Sequence, residues 1–511
     1  MEQFSAVSSN KRIAKNTLML YIRMFLATIV GLYTTRVVIQ TLGVEDYGIY
    51  SVVGSVTAML SFLKSSMSSS TSRFLSYDLG KGNQIKLQET FSSAMIIHIL
   101  FAVGVILIGE TIGLWFLENK LVIPDGRMEA AKWVLHMSVI SSAVTFTQVP
   151  YDSCIIAHER MKVYAYVEIL NVTLKLVVVY LLVIGCVDKL KLYSSLLLLV
   201  TIIISIIYRV YCVRNFKETF IIWSLRSSVV KRLMGFSIWQ MFSSLCMTLK
   251  QQGQSFIVNI YHGVTLNASL GISDMLYGTL TSFSYNMLTA FNPPIIKAYA
   301  SGNYVEMNKL LSNAAKMSFL LMAFVSIPLI INVRYILELW LEKVPEYVCE
   351  ISTIALIFNC FGVVNSVVSY SINATGKNRN KSIIIGLSML MALIVLLLTF
   401  MAQLPIIYSF CAFYVGTPIM LIGCLIEAKR KVPFLSIISF CKEGILKPCI
   451  IAVAIYTMVA LLASVLEKGF FQLLATTSVS TILFFLLTFI FILDASQRAV
   501  VSNKINRLIN K

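Results

Sequence analysis

Five cationic side chains lie inside apolar segments long enough to cross a membrane. They are Arg23, Arg36, Lys64, Lys175 and Lys250. A charge within a bilayer costs a few kcal/mol or more, so it usually faces the protein interior or a water-filled cavity. Asp274 is the acidic residue that we identify at comparable depth. This excess of positive charge favours an anionic ligand.

Lys250 lies near the middle of its segment, among other polar residues. At about 100° per residue, Gln251 and Gln254 share one helical face with it, together with Ser243 and Ser244. Polar residues within spans mark either contacts between helices or a substrate path, and this arc has more bulky amides than helix packing needs. The predicted substrate-binding residues are Lys250, Gln251, Gln254, Arg36, Lys64, Arg23 and Asp274.

Some of these cations have a simpler interpretation. Arg23, Arg36 and Lys64 lie towards the ends of their segments, from which a long side chain can reach the headgroups. Lys175 can pair with Glu168 on its own helix. Lys250, near mid-segment, is the cation that these alternatives explain least.

The elements that carry these residues are membrane-spanning helices. The chain has 511 residues, of which 58% are hydrophobic and 13% charged. Soluble domains carry about 25% charged residues, so a soluble globular protein is excluded. The prediction is an all-α polytopic membrane protein with fourteen spans. In order, the spans are 16–41, 47–71, 90–117, 131–157, 163–187, 193–212, 233–260, 267–293, 313–337, 349–373, 383–402, 406–427, 447–466 and 471–493.

Charge sets the orientation. With the N-terminus in the cytoplasm, about 29 of the 42 Lys and Arg residues fall on the cytoplasmic side and about 8 on the other. We therefore predict that both termini are cytoplasmic. The net charge of +18 then follows from topology, and no nucleic-acid partner is expected.

Features of enzymes and metal proteins are not evident in the sequence. The ten cysteines form no CxxC pair, and the four histidines lack ligand spacing, so neither a disulfide framework nor a zinc site is expected. No phosphate-binding loop or paired-carboxylate loop is found, and no loop could form a catalytic domain. We expect no enzymatic activity, no cofactor and no metal.

Two parts of the sequence resemble each other at a constant spacing. Gly43 and Gly263 are 220 residues apart, and so are Gly82 and Gly302, each of the latter followed by asparagine. Because the offset covers six spans, the repeats have parallel topology, which is typical of transporters. The predicted domains are two six-helix bundles at 12–212 and 233–427, a basic amphipathic cytoplasmic linker at 213–232, two further spans at 447–493 and a cytoplasmic tail at 494–511.

Several short motifs carry a family resemblance. They are 16–18 (NTL), 42–50 (LGVEDYGIY), 73–75 (RFL), 80–83 (GKGN), 251–253 (QQG), 267–271 (NASLG), 293–300, 339–341 (LWL) with Pro345, and 374–377 (ATGK). Their order and spacing over about residues 12–440 resemble the polysaccharide-transporter family, the O-antigen and capsule repeat-unit flippases. That family belongs to the superfamily of multidrug and toxic-compound extruders.

The resemblance implies a fold and a substrate. The fold is a V-shaped pair of six-helix bundles with two additional C-terminal helices. The implied activity moves an oligosaccharide on undecaprenyl diphosphate between the leaflets of a bacterial inner membrane, for O-antigen, capsule or exopolysaccharide synthesis. The family's cavity is cationic, and Arg23, Arg36, Lys64 and Lys250 match it by span position alone. Implied partners are this lipid-linked substrate, membrane lipids and other polysaccharide-assembly proteins.

Two alternatives remain open at this point. A cation-coupled exporter of small molecules or drugs from the same superfamily would need a cluster of carboxylates in its spans. A membrane enzyme of polysaccharide assembly would need a long outer loop with catalytic residues, and the connection at 338–348 is too short.

Overall fold

The computed structural model consists of helices and short connections over the residues that it describes. These are 2–58, 61–119, 123–124, 126–184, 188–222, 226–341, 344–492 and 498, with the side chains of 2–15, 32, 35, 36, 39, 44, 45, 51, 52, 54–58, 61, 62, 264 and 268 outside the description. The α-helices are α1 (Glu2–Ala58), α2 (Ser61–Gly80), α3 (Gln84–Ile108), α4 (Leu114–Asn119), α5 (Met128–Ala157), α6 (Met161–Ile184), α7 (Lys189–Asn215), α8 (Ser227–Ser301), α9 (Tyr304–Ile331), α10 (Val333–Leu341), α11 (Val348–Thr375), α12 (Arg379–Met401), α13 (Ile406–Lys431), α14 (Ile437–Cys441), α15 (Lys447–Val465) and α16 (Phe470–Leu487). Segments Gly109–Gly113, Lys442–Leu446 and Thr488–Ile492 are π-helical, and Lys217–Thr219 is a 3-10 turn.

Each of the fourteen predicted spans has a helical counterpart. Within the described residues, nine helices are long and apolar enough to cross a membrane. They are Gln84–Asn119, Met161–Val183, Lys189–Asn215, Tyr304–Ile331, Val348–Thr375, Arg379–Met401, Ile406–Lys431, Ile437–Val465 and Phe470–Ile492. The other predicted spans correspond to α1, α2, α5 and α8, which are less apolar because they carry residues such as Arg23, Lys64, Asp152 and Lys250.

Two glycines divide the longest helices into pairs. Gly43 interrupts α1 with φ 82° and ψ 165°, and Gly263 interrupts α8 with φ 74° and ψ −167°. This backbone region is accessible almost only to glycine, because a Cβ atom would clash with the backbone. The predicted connections between spans 1 and 2 and between spans 7 and 8 are therefore sharp breaks at single glycines rather than polar loops.

A second pair of glycines ends helices in matching ways. Gly82 follows α2 with φ 66°, and Gly302 follows α8 with φ 78°. The amide of each glycine donates to the carbonyl three residues earlier, at 3.0 and 3.2 Å. The amide of the next asparagine donates to the carbonyl five residues earlier, at 3.4 and 3.0 Å. These paired bonds are those of a left-handed helix cap, in which glycine carries no Cβ penalty.

The chain folds into two compact units. The first comprises Met1–Ser244 with Thr289–Asn303, and the second comprises Leu245–Leu288 with Tyr304–Lys511. The core of the first unit includes Phe91, Tyr151 and Tyr208, from α3, α5 and α7. The core of the second includes Leu396 and Phe413, from α12 and α13. The long helix α8 therefore contributes residues to both units.

The connection between α7 and α8 is shorter than the predicted linker. It packs against α3 rather than extending as a free segment: Gln84 donates to Glu218 at 3.2 Å, Gln88 to the carbonyl of Phe220 at 2.9 Å, and the amide of Ile222 to Ser92 at 3.0 Å. Burial alone would raise the pKa of Glu218, but hydrogen bonds from His158 and Gln84 hold that pKa below its ordinary value.

The last two spans pack on α9 within the second unit. Asn332 donates to the Thr476 hydroxyl of α16 at 2.9 Å, and Lys316 donates to the carbonyl of Ile492 at 3.3 Å. The predicted ninth span, 313–337, is wrong at its end, because α9 stops at Ile331 and the separate helix α10 follows.

Candidate functional site

A cluster of charged and aromatic residues lies within the first unit, where α1, α2, α5 and α6 approach one another. The Arg23 guanidinium carbon is 4.9 Å from the ring centroid of Tyr164. Lys64 is attracted by the carboxylates of Asp152, which exerts the larger effect, and Glu168. We refer to these five residues as the first-unit cluster.

Amide side chains hold the two carboxylates of the first-unit cluster in place. Gln148 donates to both oxygens of Asp152 at 3.1 Å, from one helical turn away on α5. Asn171 donates to Glu168 at 3.4 Å. Both carboxylate residues are half-buried, as are Arg23 and Lys64. The cluster thus combines two cations with two oriented carboxylates, a charge balance suited to binding an ion or exchanging a proton.

This arrangement corrects the expectation that the charges inside the spans are mainly positive. Asp152 and Glu168 lie within predicted spans 4 and 5, and their negative charges act on Lys64. Lys175 is exposed, and Glu168 accepts a hydrogen bond from Asn171 instead. The predicted site lacks Asp152, which lies in an apolar segment, although Gln148 one turn earlier indicates a polar face.

The second unit has its own cluster around Lys250 on α8. The Lys250 ammonium lies 4.5 Å from the ring centroid of Phe413 and 5.5 Å from that of Tyr414, both on α13. Such a cation–π contact is worth about 2 kcal/mol or more when desolvated. Asp274 also attracts this ammonium. Lys250, Gln254, Asp274, Phe413 and Tyr414 are the second-unit cluster.

Gln254 and Asp274 join the two halves of α8. Gln254 is buried and donates to Asp274 Oδ2 at 2.7 Å, and one residue further on, Ser255 donates to Asn267 at 2.8 Å. These bonds cross the break at Gly263, so part of the polar arc does serve helix packing. Gln251, predicted to lie beside Lys250 in the same site, is exposed.

Two other predicted features have different outcomes. The side chain of Arg36 lies outside the described residues. The serine-rich end of span 2 packs in part against α8: Ser66 donates to Ser244 at 3.3 Å and Ser70 to the carbonyl of Leu233 at 3.2 Å. Small residues allow this close approach of helices.

Comparison with solved structures shows the fold. A MATE structure in its bent conformation matches with a TM-score of 0.74 at 12% identity, covering 85% of this chain and 97% of that one. An outward-facing multidrug resistance MATE transporter of the MOP superfamily gives 0.67 at 13% identity, covering 83% and 95%. A MOP superfamily transporter from Pyrococcus furiosus, described as having a binding pocket of reversed polarity, gives 0.70 at 13%, covering 83% and 96%.

Comparison of sequences identifies the family. No curated protein matches the chain. The family model for polysaccharide biosynthesis proteins matches residues 13–334, which is more than half of the chain. This span includes most of the motifs that carried the resemblance. This chain therefore belongs to the polysaccharide biosynthesis protein family, and its fold is that of the MATE structures.

Proposed function

We propose that this protein is a flippase for lipid-linked oligosaccharides. It would carry polysaccharide repeat units on undecaprenyl diphosphate from the cytoplasmic to the periplasmic leaflet of a bacterial inner membrane, with both termini in the cytoplasm. The observation that carries this proposal is the family match over residues 13–334, combined with a transporter fold. O-antigen, capsule or exopolysaccharide would be the product.

Lys250 is our candidate for the substrate diphosphate. Its ammonium rests on the Phe413 and Tyr414 rings, and Asp274 attracts it through space. A phosphate oxygen forms a stronger, charge-assisted hydrogen bond than an aromatic face provides. We therefore expect the ammonium to move from the rings to the substrate when a diphosphate is present. Arg23, Lys64 and Arg36 would be the further cations along the path.

The carboxylates support a second candidate function. Asp152, Glu168 and Asp274 balance the cations near them, so the excess of positive charge does not by itself select an anionic substrate. Carboxylates in spans are also what a cation-coupled exporter of small molecules requires. In a flippase, these carboxylates would balance the cations before the substrate binds and would compete with its diphosphate. In a cation-coupled exporter, they would bind the transported or coupling cation.

One pair of measurements separates the two functions. The gene is expressed in a bacterium whose own repeat-unit flippase is deleted, and surface polysaccharide is quantified together with accumulation of a cationic dye. The flippase proposal expects restored polysaccharide and unchanged dye accumulation. Lowered dye accumulation without restored polysaccharide, in a host that supplies a matching repeat unit, would favour the second function. Reporter fusions after Lys15 and Lys504 test the proposed orientation, and both should read as cytoplasmic.

A further inference from the structure

Four potential metal ligands converge where the chain passes from α7 towards α8. Cys154 lies in the last turn of α5 and His158 directly follows that helix, Cys212 lies near the end of α7, and Glu218 lies in the turn Lys217–Thr219. The ligand atoms of Cys154, His158 and Glu218 are all within 4.8 Å of one another. All four residues belong to the first unit, and none belongs to the first-unit cluster.

Two of these ligands contact the same carboxylate oxygen, Oε1 of Glu218. His158 Nε2 contacts Glu218 Oε1, and the Cys154 sulfur is 3.6 Å from the same oxygen. The Cys212 thiol donates to the Tyr151 carbonyl at 3.6 Å, one turn before Cys154 on α5, and it also interacts with the Cys154 thiol. One imidazole, two thiols and one carboxylate thus lie close together, and hydrogen-bonding protons now lie between them. A divalent cation held by the same atoms replaces those protons.

The site is shielded from solvent on all sides but one. Cys154, Cys212 and Glu218 are at most 3% exposed, whereas the His158 side chain is 24% exposed. The imidazole edge therefore provides a route for an ion to enter. Burial of three polar ligands is typical of structural metal sites, in which the surrounding protein excludes competing water.

Neighbouring side chains orient two of the ligands. The His158 ring stacks on Phe216, with centroids 4.1 Å apart and an interplanar angle of 14°. Gln84 donates to the second carboxylate oxygen of Glu218 at 3.2 Å, which leaves Oε1 directed at the cluster. Outer contacts of this kind fix the ligands of metal sites and raise their affinity about 10–100-fold.

We propose that Cys154, His158 and Glu218, with Cys212 as the fourth donor, bind a Zn²⁺-like divalent cation. Thiolate and imidazole ligands favour Zn²⁺ over Mg²⁺ or Ca²⁺, which prefer oxygen. Binding releases the thiol protons and the proton between imidazole and carboxylate. The bound ion ties the turn Lys217–Thr219 to α5 and α7, so it fixes the start of the connection between the sixth and seventh spans.

The alternative is a His158–Glu218 ion pair that holds the turn without metal. Both interpretations need the imidazole and the carboxylate, but only a metal site needs a thiolate. The sequence signal for such a site is the Cys-x-x-x-His pair at 154–158, a spacing that conventional zinc motifs do not include.

Cobalt titration of the full-length protein in detergent micelles tests the proposal. After treatment with chelator and reductant, Co²⁺ is added and the near-ultraviolet thiolate-to-cobalt charge-transfer band is recorded. We expect saturation at one Co²⁺ per chain and loss of the band on adding Zn²⁺. Cys154→Ser should weaken binding at least ~10-fold. Cys424→Ser, a buried thiol on α13 in the second unit, is the matched control and should bind as the parent does.

Further variants keep the result interpretable. Cys212→Ser and Glu218→Gln should also weaken binding while eluting as monodisperse protein, which covers the case in which Cys154→Ser fails to fold. Absence of the thiolate band in the parent protein would overturn the proposal. So would a band that Cys154→Ser and Cys212→Ser both leave unchanged, because the thiols would then not be ligands.

Discussion

The two units of the molecule hold their cations in different ways. In the first unit, Lys64 interacts with two carboxylates that come from α5 and α6. In the second, Lys250 rests on two aromatic rings of α13 and has Asp274 as its carboxylate neighbour. Two carboxylates offset the charge of Lys64, whereas Lys250 has one carboxylate in its field and aromatic faces that leave its charge in place. The second unit is thus the better candidate for holding an anion.

The backbones of the two units are more alike than their charges. Gly43 and Gly263, 220 residues apart, break helices with nearly the same torsion angles. At the same offset, however, Lys64 corresponds to Ser284 and Arg23 to Ser243. The repeat therefore preserves the positions where only glycine fits, and the ionisable residues vary independently of it.

The largest expected effect is the loss of glycan export in Lys250→Ala, compared with the smaller loss in Lys64→Ala. We expect Lys250→Ala to reduce export of lipid-linked glycan at least ~10-fold, equivalent to about 1.4 kcal/mol, because the diphosphate loses its charged partner. Lys64→Ala should reduce export less, since Lys64 is already engaged by carboxylates. The measurement is surface polysaccharide in cells lacking their own flippase, normalised to protein level.

Two variants control this comparison. Lys175→Ala removes an exposed lysine on α6 and should leave export unchanged. Lys250→Arg should retain more activity than Lys250→Ala if positive charge is what the substrate needs. Full complementation by Lys250→Ala would show that this lysine does not hold the substrate.

The next effect concerns the carboxylates. We expect Asp274→Asn to slow export several-fold and Asp152→Asn to slow it less. Lys64 keeps Glu168 when Asp152 is neutralised, whereas Lys250 loses the carboxylate that attracts it and that, under the proposed function, competes with the diphosphate. The appearance of labelled surface glycan over time measures this difference. The opposite order would mean that the first unit carries the step sensitive to charge.

A smaller effect compares the two helix breaks. Gly43→Ala and Gly263→Ala should each destabilise the protein by about 1–3 kcal/mol, because alanine is strained at these torsion angles. Gly48→Ala and Gly271→Ala are matched controls, since both lie in helix with nothing within 4 Å of a new Cβ atom. Thermal unfolding in detergent measures the change. Equal melting temperatures for a break variant and its control would contradict the repeat as a shared structural constraint.

The smallest effect concerns the starts of α5 and α7, which meet α1 just after its break at Gly43. Arg127 bonds Asp188 at 2.8 Å and Asp46 at 2.5 Å. Burial would raise the pKa of Asp188, but the bond from Arg127 lowers it overall. The pair therefore stabilises the fold above the ordinary aspartate pKa of about 3.9, and this contribution is lost as the pH falls below that value.

The Arg127 pair is partly exposed, so Asp188→Asn should cost less than about 1 kcal/mol at neutral pH. The melting temperature of this variant should fall less on acidification than that of the parent protein. In the second unit, α8 is tied instead by the Ser269 hydroxyl, which donates to the Glu346 carbonyl at 2.7 Å and does not titrate. Ser269→Ala should therefore lower stability without changing its pH dependence. An unaltered acid response in Asp188→Asn would contradict this assignment.

The helices were more predictable from the sequence than the site. The length of the apolar segments predicted a helix for each of the fourteen spans, because a segment that crosses a membrane must satisfy its own backbone hydrogen bonds. Helical wheels placed Gln251 and Gln254 on one face, but only the packing of neighbouring helices decides that the first is exposed and the second buried. The same limit hid the approach of Asp152 to Lys64, which lies on another helix.

The contacts of Glu159 have a consequence for the order in which the chain folds during synthesis. Asn16 donates to its carbonyl at 3.3 Å, and Lys297 donates to its buried carboxylate at 2.7 Å. The first unit also includes Thr289–Asn303 as a whole. Since a ribosome makes the chain from its N-terminus, the first unit cannot complete its packing until the eighth span has emerged. Until then Glu159 lacks its lysine, and the growing chain must hold this carboxylate in water or with another partner.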